Sequence, residues 1–512
     1  MRRLTVVVLI TLVAGLQACA VNPVTGKREL SLVTEANEIQ LGQQNYLPMQ
    51  QSQGGVYDVD PQLSAYVNDV GQRVAAVSDR PLPYEFVVLN NSVPNAWALP
   101  GGKIAINRGL LTELETESEL AAVLGHEVVH AAARHSAQQM TRATLLQLGM
   151  LGVGIAASDS DYAGLIVGSA NVGAQLINSA YGRGAELEAD KYGMRYMSAA
   201  GYDPQGAVSL QETFVKLSEG RQTDWLSGLF ASHPPSQVRV NENRRIAGNL
   251  PPGGEAGRGQ YEAALARTRE ILPAYEAYDE GRKALAEKDT ATAVARAETA
   301  IGLFPEEAHF YALRGDARLM DEQYEMAITN YSSAIRRRDD FFYYHLQRGL
   351  IQNHLGNDDE AIVDLERSLA YLKTGPAHYA LGSIAEKRGD MQTAMAHYRE
   401  AGTVQGDVAN AARLSFARLD IGQNPAAYLS KRCDATQNGS LVVSVRNDAG
   451  VPVMGVAVSV TFIGNDRRAR QLRRNIRGVL DPRQVASIDT GLGPYVQGSN
   501  CPATVVAARI VQ

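Results

Sequence analysis

The chain has 512 residues, of which 45% are hydrophobic and 20% charged, and its formal net charge is −6. This length predicts two to four domains, and the composition is that of folded globular domains and not of a disordered chain. The acidic balance gives no indication of a nucleic-acid partner, because phosphate backbones attract proteins with an excess of basic side chains.

The first residues predict export and a lipid anchor. Two arginines precede an apolar stretch, Leu4–Leu16, which is too short to span a bilayer and is typical of a signal peptide at residues 1–18. The stretch ends in "LQAC", which resembles a bacterial lipobox, so we expect cleavage before Cys19 and lipidation of that cysteine; an ordinary cleaved signal is the alternative. The next residue is Ala20 and not the aspartate of an inner-membrane retention signal. We therefore expect an outer-membrane lipoprotein facing the periplasm of a Gram-negative bacterium.

Residues 19–248 are predicted to form a mainly helical domain with a small β-sheet. The chain becomes helical by Thr34, with Glu38 on a charged helix face. Residues 84–90 ("YEFVVLN") and 102–111 ("GKIAINRGLL") alternate or run apolar as strands do.

The stretch "LGHEVVHAAARH" predicts a metal site. Thr116 and Glu119 form a predicted capping box that opens a helix, and on this helix His126 and His130 lie about one turn apart. Both imidazoles can then bind one metal ion. Glu127 is placed to take a proton from a water molecule at the metal's open position, and the spacing matches the H-E-x-x-H pattern. The alternative is a helix with two solvated histidines.

A second stretch, "GRGAELEADKYG", supplies acidic groups. Glu186 and Asp190 are four residues apart and share a helix face, so one can bind metal and the other can hold the second nitrogen of a ligand histidine. Glu188 is two residues from each and is expected to point elsewhere. A catalytic zinc needs a third protein ligand, which favours this interpretation over a solvated acidic face.

Between these stretches, residues 145–170 contain two apolar runs separated by four polar residues. Neither run is long enough to span a membrane, and their glycines make a rigidly packed helix less certain. We expect a helical hairpin or a lid over the cleft, with ordinary burial within the domain as the alternative.

A linker and a repeat follow. The predicted linker, residues 249–272, begins with the Pro- and Gly-rich "NLPPGGEAGRGQ". In residues 273–425 a glycine recurs at spacings of 34, 34 and 33 residues, each time followed twelve residues later by an alanine: Gly281, Gly315, Gly349 and Gly382. This period resembles the tetratricopeptide repeat (TPR), whose paired helices stack into an α-solenoid with a concave surface for peptides or partner proteins.

The last segment, residues 429–512, is β-rich and predicts a small β-sandwich-like domain. Cys433 and Cys501 are the remaining cysteines after Cys19, and in an oxidising periplasm we expect them to form a disulfide; two buried free thiols are the alternative. The arginine run "RRARQLRR" at residues 467–474 could meet lipid headgroups or another polyanion, although a solvated face is the favoured interpretation.

These motifs together resemble a known family. HEVVH followed by "ELEAD" is similar to the membrane-associated zinc metallopeptidases that include the CAAX prenyl protease and HtpX, and a lipoprotein start with a protease before TPR repeats resembles their BepA-like periplasmic members. The resemblance implies a zincin-type protease domain with one Zn²⁺ per subunit on His126, His130 and Glu186. It also implies Glu127 as general base and Asp190 as the residue that holds a ligand histidine.

The same resemblance places His233 and Arg239, in "SHPPSQVR", at the catalytic site. Two roles for His233 compete. It could donate a hydrogen bond to the developing oxyanion, or it could occupy the open position on zinc and hold the enzyme off, which the resemblance favours. A loop histidine without a role is a third interpretation. His135, five residues past His130, is expected to be structural or solvated.

We therefore predict a zinc metalloendopeptidase of the periplasm that hydrolyses misfolded or misassembled envelope proteins, with substrate extended along the strand near Gly102–Asn107. The TPR surface is expected to dock substrates or the outer-membrane assembly machinery, and the lipid anchor to hold the chain at the membrane. The alternative is chiefly a chaperone or assembly factor whose protease site is normally shut by His233. The β-rich domain departs from the family layout, so its role is not inherited.

Overall fold

The computed structural model describes residues 19–154, 181–220, 230, 232–403, 405–463, 469–496 and 499–511. The chain divides into two compact units, Met1–His345 and Leu346–Gln512, and each is described by itself. The predicted signal peptide, the part of the predicted hairpin beyond residue 154, and Arg467 and Arg468 of the arginine run lie outside the described residues.

The first unit begins with a β-hairpin and two helices: β1 (Cys19–Val21), β2 (Arg28–Leu30), α1 (Glu35–Ser52) and α2 (Pro61–Ala75). A sheet and a helical region follow: β3 (Glu85–Leu89), β4 (Ala96–Leu99), β5 (Lys103–Asn107), α3 (Arg108–Leu111), α4 (Glu117–Ala132), α5 (His135–Gly154), α6 (Arg183–Ala199), α7 (Gln205–Gly220), α8 (Gln237–Ala247) and α9 (Arg258–Glu270). Across the described residues, none of the helices is both long enough and apolar enough to cross a membrane.

The three-stranded sheet has the order β3-β5-β4, with β5 parallel to β3 and antiparallel to β4. This order corrects the prediction that substrate extends along Gly102–Asn107. That segment is the central strand β5, whose two edges are already hydrogen-bonded, so it offers no edge to an added strand. β4 is an edge strand, and it packs against α4.

A buried ion pair anchors α1, in place of the charged face predicted for Glu38. The Glu38 side chain is 1% exposed; its Oε2 lies 2.9 Å from Nη1 of Arg80, and its Oε1 accepts a hydrogen bond of 2.5 Å from Nε of Arg134. Arg80 also donates to the carbonyl of Ala131 at 3.1 Å. The buried carboxylate therefore fixes the C-terminal end of α4, the helix that carries HEVVH.

The predicted linker, residues 249–272, is only in part a connection. Its second half forms α9, in which Tyr261 and Leu265 are both 0% exposed and belong to the main hydrophobic core. Tyr261 donates a hydrogen bond of 2.7 Å to the carbonyl of Leu111. Two apolar side chains four residues apart lie on the same helix face, which packs against the core. The glycines and prolines just before them indicated a linker and not a helix.

The first TPR helices also belong to this unit: α10 (Leu272–Ala286), α11 (Thr290–Leu303), α12 (Ala308–Met320) and α13 (Tyr324–Arg337). The buried carboxylate of Glu307 accepts hydrogen bonds from Asn90 at 2.8 Å and from Tyr275 at 2.5 Å. The guanidinium of Arg108 lies 3.5 Å from the ring centre of Tyr275. The boundary between the compact units therefore lies within the repeats and not at the predicted linker.

The helices α14 (Phe342–Leu355), which crosses this boundary, α15 (Asp358–Tyr371), α16 (Gly375–Lys387), α17 (Met391–Ala401) and α18 (Asp407–Asp420) continue the repeats into the second unit. A Cβ at Gly382 on α16 would lie 2.8 Å from the ring of Tyr398 on α17. The recurring glycine thus marks the point where paired helices cross, as the period predicted.

The chain ends in two small antiparallel sheets, which confirms the β-rich prediction. Their strands are β6 (Leu429–Ala435), β7 (Leu441–Asn447), β8 (Val453–Ile463), β9 (Ala469–Asn475), β10 (Val479–Leu480), β11 (Val485–Asp489) and β12 (Ala503–Ile510). One sheet has the order β11-β7-β6, and in the other β8 pairs with β9, β10 and β12. The two sheets share one hydrophobic core, and Cys433 and Cys501 form a disulfide there.

Candidate metal centre

α4 is buried along its whole length. Thr116 caps it, because its Oγ1 accepts a hydrogen bond of 3.1 Å from the amide of Glu119. In a capping box the carboxylate of Glu119 would accept a hydrogen bond from the amide of Thr116. Here Oε2 of Glu119 accepts a hydrogen bond of 2.6 Å from the amide of Glu115. His126 and His130 are 9% and 1% exposed, so the alternative of a helix with two solvated histidines is excluded.

The second helix of the site, α6, approaches α4 closely at two glycines. A Cβ at Gly193 would lie 2.9 Å from the amide nitrogen of His126, and one at Gly125 would lie 3.0 Å from the carbonyl oxygen of Gly193. Any larger residue would push the helices apart. This approach brings Glu186 and Asp190, which lie one turn apart near the start of α6, against the histidines of α4.

Four side chains converge between these helices. The ligand atoms of His126, His130, Glu186 and His233 all lie within 4.8 Å of one another. The two Nε2 atoms of His126 and His130 are 3.0 Å apart, and Oε1 of Glu186 lies 3.4 Å from Nε2 of His130. Atoms bound to one tetrahedral ion at 2.0–2.1 Å are about 3.4 Å apart, so the spacing fits a single metal ion. His233 brings its Nδ1 to 3.0 Å from Oε1 of Glu186.

The chemistry of this cluster favours a bound cation. Nδ1 of His126 lies 3.0 Å from Oδ1 of Asp190, and a proton on that nitrogen leaves the Nε2 lone pair directed at the other ligands. Burial acts to lower the pKa of His126, but the carboxylates of Glu186 and Asp190 outweigh burial and raise that pKa to about 10. The site therefore attracts positive charge, and two imidazoles with one carboxylate form a donor set that divalent transition metals bind.

Glu127 lies beside this cluster, and one of its carboxylate oxygens has no hydrogen-bond partner among the described residues. Its Oε1 is 3.6 Å from Nε2 of His233, and its Oε2 is buried and accepts no hydrogen bond from any described residue. Burial raises the pKa of Glu127, against the opposing charges of His233 and His126. A carboxylate with a raised pKa at this position is suited to accept a proton and to release it again.

Arg239 holds Asp190 with a two-pronged contact. Its Nε and Nη2 donate hydrogen bonds of 2.7 Å to the two carboxylate oxygens of Asp190, and its Nη1 lies 3.0 Å from Oε2 of Glu186. Burial acts to raise the pKa of Asp190, but the charge and the hydrogen bonds of Arg239 hold it below its ordinary value. Arg239 is therefore a positioning residue, which orients Asp190 and through it His126.

Comparisons with known proteins identify the family of the chain. Residues 61–247 match the model of peptidase family M48, and residues 375–404 match a tetratricopeptide repeat model. The chain is 33% identical over 188 residues to the metalloprotease LoiP of Escherichia coli strain K12, a match that covers 36% of this chain and 68% of LoiP. The chain belongs to peptidase family M48. This membership confirms the resemblance predicted from HEVVH and "ELEAD".

Other relatives match a similar share of the chain. The beta-barrel assembly-enhancing protease of Yersinia pestis is 31% identical over 214 residues, 41% of this chain and 44% of that protein. The mitochondrial metalloendopeptidase OMA1 of Schizosaccharomyces pombe is 38% identical over 182 residues, 35% of this chain and 51% of that protein. The chain thus spans about half the length of these two relatives. Among solved structures, the Arabidopsis OM64 TPR domain is 21% identical with a TM-score of 0.22, over 23% of this chain and 98% of that domain.

The sequence did not reveal what holds His130, the second histidine of HEVVH. Nδ1 of His130 lies 2.8 Å from Nδ1 of His135, and Nε2 of His135 lies 3.3 Å from Oε1 of Glu188. Of the two interpretations of His135, structural or solvated, the structural one therefore applies. Glu188 on α6 is its second contact. The helical spacing of α4 could not show this contact, because His135 begins the next helix. Tyr181 stacks on His130 with 3.9 Å between ring centres, and no sequence pattern marked it.

An apolar pocket with a volume of about 30 Å³ opens beside His126 and Glu127. Its apolar walls come from β4, α3, α4, α6 and α7 and include Ala96, Leu110, Ala122, Val123, Met194, Leu210 and Phe214. The polar side chains of Gln211, His233, Arg239 and Asn243 also line it. This volume holds about two water-sized groups. The pocket therefore suits a small apolar side chain next to the metal position.

Proposed function

We propose that this M48 chain is a zinc-dependent endopeptidase of the periplasm that acts on misfolded or misassembled envelope proteins. The convergence of His126, His130 and Glu186 beside the buried carboxylate of Glu127 carries the proposal. The relative from Yersinia pestis is by name a protease that enhances β-barrel assembly, which supports an envelope substrate.

His126, His130 and Glu186 would hold Zn²⁺, which supplies Lewis acidity toward the scissile carbonyl and lowers the pKa of a water molecule. Asp190, oriented by Arg239, keeps the proton of His126 on Nδ1, so that Nε2 remains directed at the metal position.

Glu127 performs the proton transfers. It accepts a proton from the attacking water and passes it to the leaving amine. Burial of Glu127 excludes bulk water, so the proton stays between the carboxylate and the reacting groups. His135, supported by Glu188, fixes the orientation of the His130 ring during these steps.

We infer that the substrate backbone pairs with the outer edge of β4 and not with β5. β4 packs against α4, and its residue Ala96 also lines the apolar pocket beside Glu127. A peptide added to this edge would carry one side chain into the pocket and bring its carbonyl to the metal position. Mapped cleavage sites are then expected to have a small apolar residue next to the broken bond.

We infer that His233 keeps the resting site shut. Its Nδ1 lies 3.3 Å from Nε2 of His126, among the metal ligands, and the residue is 5% exposed. A ring at this place occupies the position that a substrate carbonyl needs. This placement supports the inhibitory role over the oxyanion role, since an oxyanion donor must leave that position open.

We further propose that Cys19 carries a lipid that holds the chain at the periplasmic face of the outer membrane. The TPR repeats would dock substrates or the outer-membrane assembly machinery on their concave surface. A chaperone or assembly factor is the second candidate function, and the contact of His233 with the ligands favours it, because a site that is usually shut leaves docking as the main activity.

The Glu127→Gln variant tests the catalytic proposal. We expect it to bind one equivalent of zinc and to lose about 10²–10⁴-fold in the rate of cleavage of an unfolded protein, because the general base is gone. Glu115→Gln, on an exposed side chain outside the cluster, is the matched control and should keep full activity. Equal cleavage by Glu127→Gln and the unaltered chain, or a purified chain without zinc, would exclude the peptidase.

If Glu127→Gln supports outer-membrane protein assembly in cells as well as the unaltered chain does, the chaperone function is the correct one.

The His233→Ala variant tests the shut state. We expect its cleavage rate to rise about tenfold, since a factor of ten corresponds to removing only about 1.4 kcal/mol of preference for the shut site. His354→Ala, on an exposed histidine of α14, should leave the rate unchanged. An unchanged or lower rate for His233→Ala would contradict the inhibitory role and favour the oxyanion role.

A further inference from the structure

Charge is distributed unevenly along the chain. Residues 429–512 contain ten arginines, one lysine, five aspartates and no glutamate, a net charge of +6, whereas the whole chain carries −6. Residues 1–428 therefore carry −12. The β-rich domain is thus a basic module in an acidic protein, and it lies outside the region that matches family M48.

Three exposed arginines lie together on β9. Within the described residues this strand pairs with β8 alone, so its other edge is free. Arg470, Arg473 and Arg474 on β9 are all exposed. Neither Arg473 nor Arg474 has an acidic partner among the described residues, whereas Arg432 and Arg446 in the same domain pair with aspartates at 2.8 Å and 2.7 Å.

Protection of a free strand edge is the simplest reason for charges on β9, since charged side chains block edge-to-edge aggregation. That reason does not account for the apolar side chain that stays exposed beside them. Ile463, which pairs with Ala469 across the strands, is 67% exposed. Arginines beside an exposed aliphatic group form an amphiphilic edge, which suits a surface that is both anionic and apolar.

We propose that this arginine edge, formed by Arg470, Arg473, Arg474 and Ile463, docks on the phosphate groups of an anionic lipid surface. A guanidinium binds phosphate oxygens with two parallel hydrogen bonds, and the aliphatic side chain of Ile463 can enter the layer beneath the headgroups. Each arginine near an anionic membrane contributes roughly fivefold to the binding constant. A lipid on Cys19, where present, would raise the local concentration of this surface, and one lipid chain with a basic patch binds more stably than either alone.

Vesicle binding by the unacylated chain, residues 20–512 with the disulfide intact, tests the proposal without the lipid. The probes are vesicles of phosphatidylglycerol mixed with phosphatidylcholine, and vesicles of phosphatidylcholine alone. We expect binding to the anionic vesicles that falls as salt rises, and none to the zwitterionic vesicles. Arg473→Gln/Arg474→Gln should weaken binding about 25-fold at 0.1 M salt.

Arg432→Gln/Arg446→Gln is the matched control, because it removes the same number of positive charges from the same domain. We expect it to weaken binding less than about fivefold, since these arginines already pair with aspartates. Equal losses in the two double variants would show that binding follows total charge and would overturn the arginine edge. Equal binding to both kinds of vesicle, or tight binding to polyglutamate without binding to anionic vesicles, would overturn the lipid proposal. Cleavage of an unfolded soluble protein should not change in either variant.

Discussion

The metal centre and the C-terminal β-domain use arginine in opposite ways. Arg239 is buried and donates two hydrogen bonds of 2.7 Å to a buried aspartate, whereas Arg473 and Arg474 are exposed and lack an acidic partner among the described residues. Removing one partner of a buried ion pair is strongly destabilising, because the other charge is left buried and unpaired. The pair therefore holds both side chains in one arrangement. An exposed arginine contributes little to folding, so evolution can use it for contact with a surface.

Metal removal is expected to give the largest difference in stability between the first unit and the β-domain. A chelator should abolish peptide hydrolysis and destabilise the first unit by about 4 kcal/mol, if the ion was present at about a thousand times its Kd. The β-domain has its own core and disulfide, so its unfolding transition should not move. Differential scanning calorimetry with and without chelator measures both transitions. A shift of the β-domain transition, or none in the first unit, would contradict this separation.

Arg239→Lys tests how much the buried contact matters. Lysine keeps the charge but cannot hold both oxygens of Asp190, so His126 loses its fixed orientation. We expect metal affinity or kcat/KM to fall about 10–100-fold, with metal affinity measured separately by competition with a chelating dye. Arg244→Lys on the same helix changes an exposed arginine paired with Glu212, and it should alter neither value by more than about twofold.

Gly193→Ala tests the close approach of the two ligand-bearing helices. The added methyl group would meet the amide of His126, and we expect a loss of about 1–3 kcal/mol in the free energy of unfolding of the first unit. Gly184→Ala on the same helix meets nothing within 4 Å and should be neutral or slightly stabilising. Urea unfolding of the two variants compares them directly. Equal stability would show that α4 and α6 can move apart at no cost.

Local spacing explains which parts of the molecule were predictable. HEVVH places two histidines one turn apart on a single helix, and "ELEAD" places Glu186 and Asp190 one turn apart on another. The period of 34 residues marks paired helices. Both patterns depend on fixed spacings along the chain, so the sequence alone shows them. The relay from His130 through His135 to Glu188 joins three separate positions, and only the packing of α6 on α4 brings them together.

In the three-stranded sheet, too, the sequence predicted local elements but not how they pair. The strands near residues 84–90 and 102–111 were predictable from their apolar runs, but strand order depends on how the segments pair in space. The parallel pairing of β3 with β5 put β5 in the centre and left β4 at the edge. The burial of Glu38 was also missed, because its partners Arg80 and Arg134 are distant in sequence.

The hydrogen bonds of Glu307 with Asn90 and Tyr275 join the first TPR helices to the peptidase region. Tyr261, Tyr275 and Phe310 belong to the same hydrophobic core as the sheet and α4, so the peptidase fold does not end where its sequence motif ends. A fragment that stops at residue 248 would expose these contact surfaces to water. The first helical pairs are therefore part of the folding unit of the peptidase.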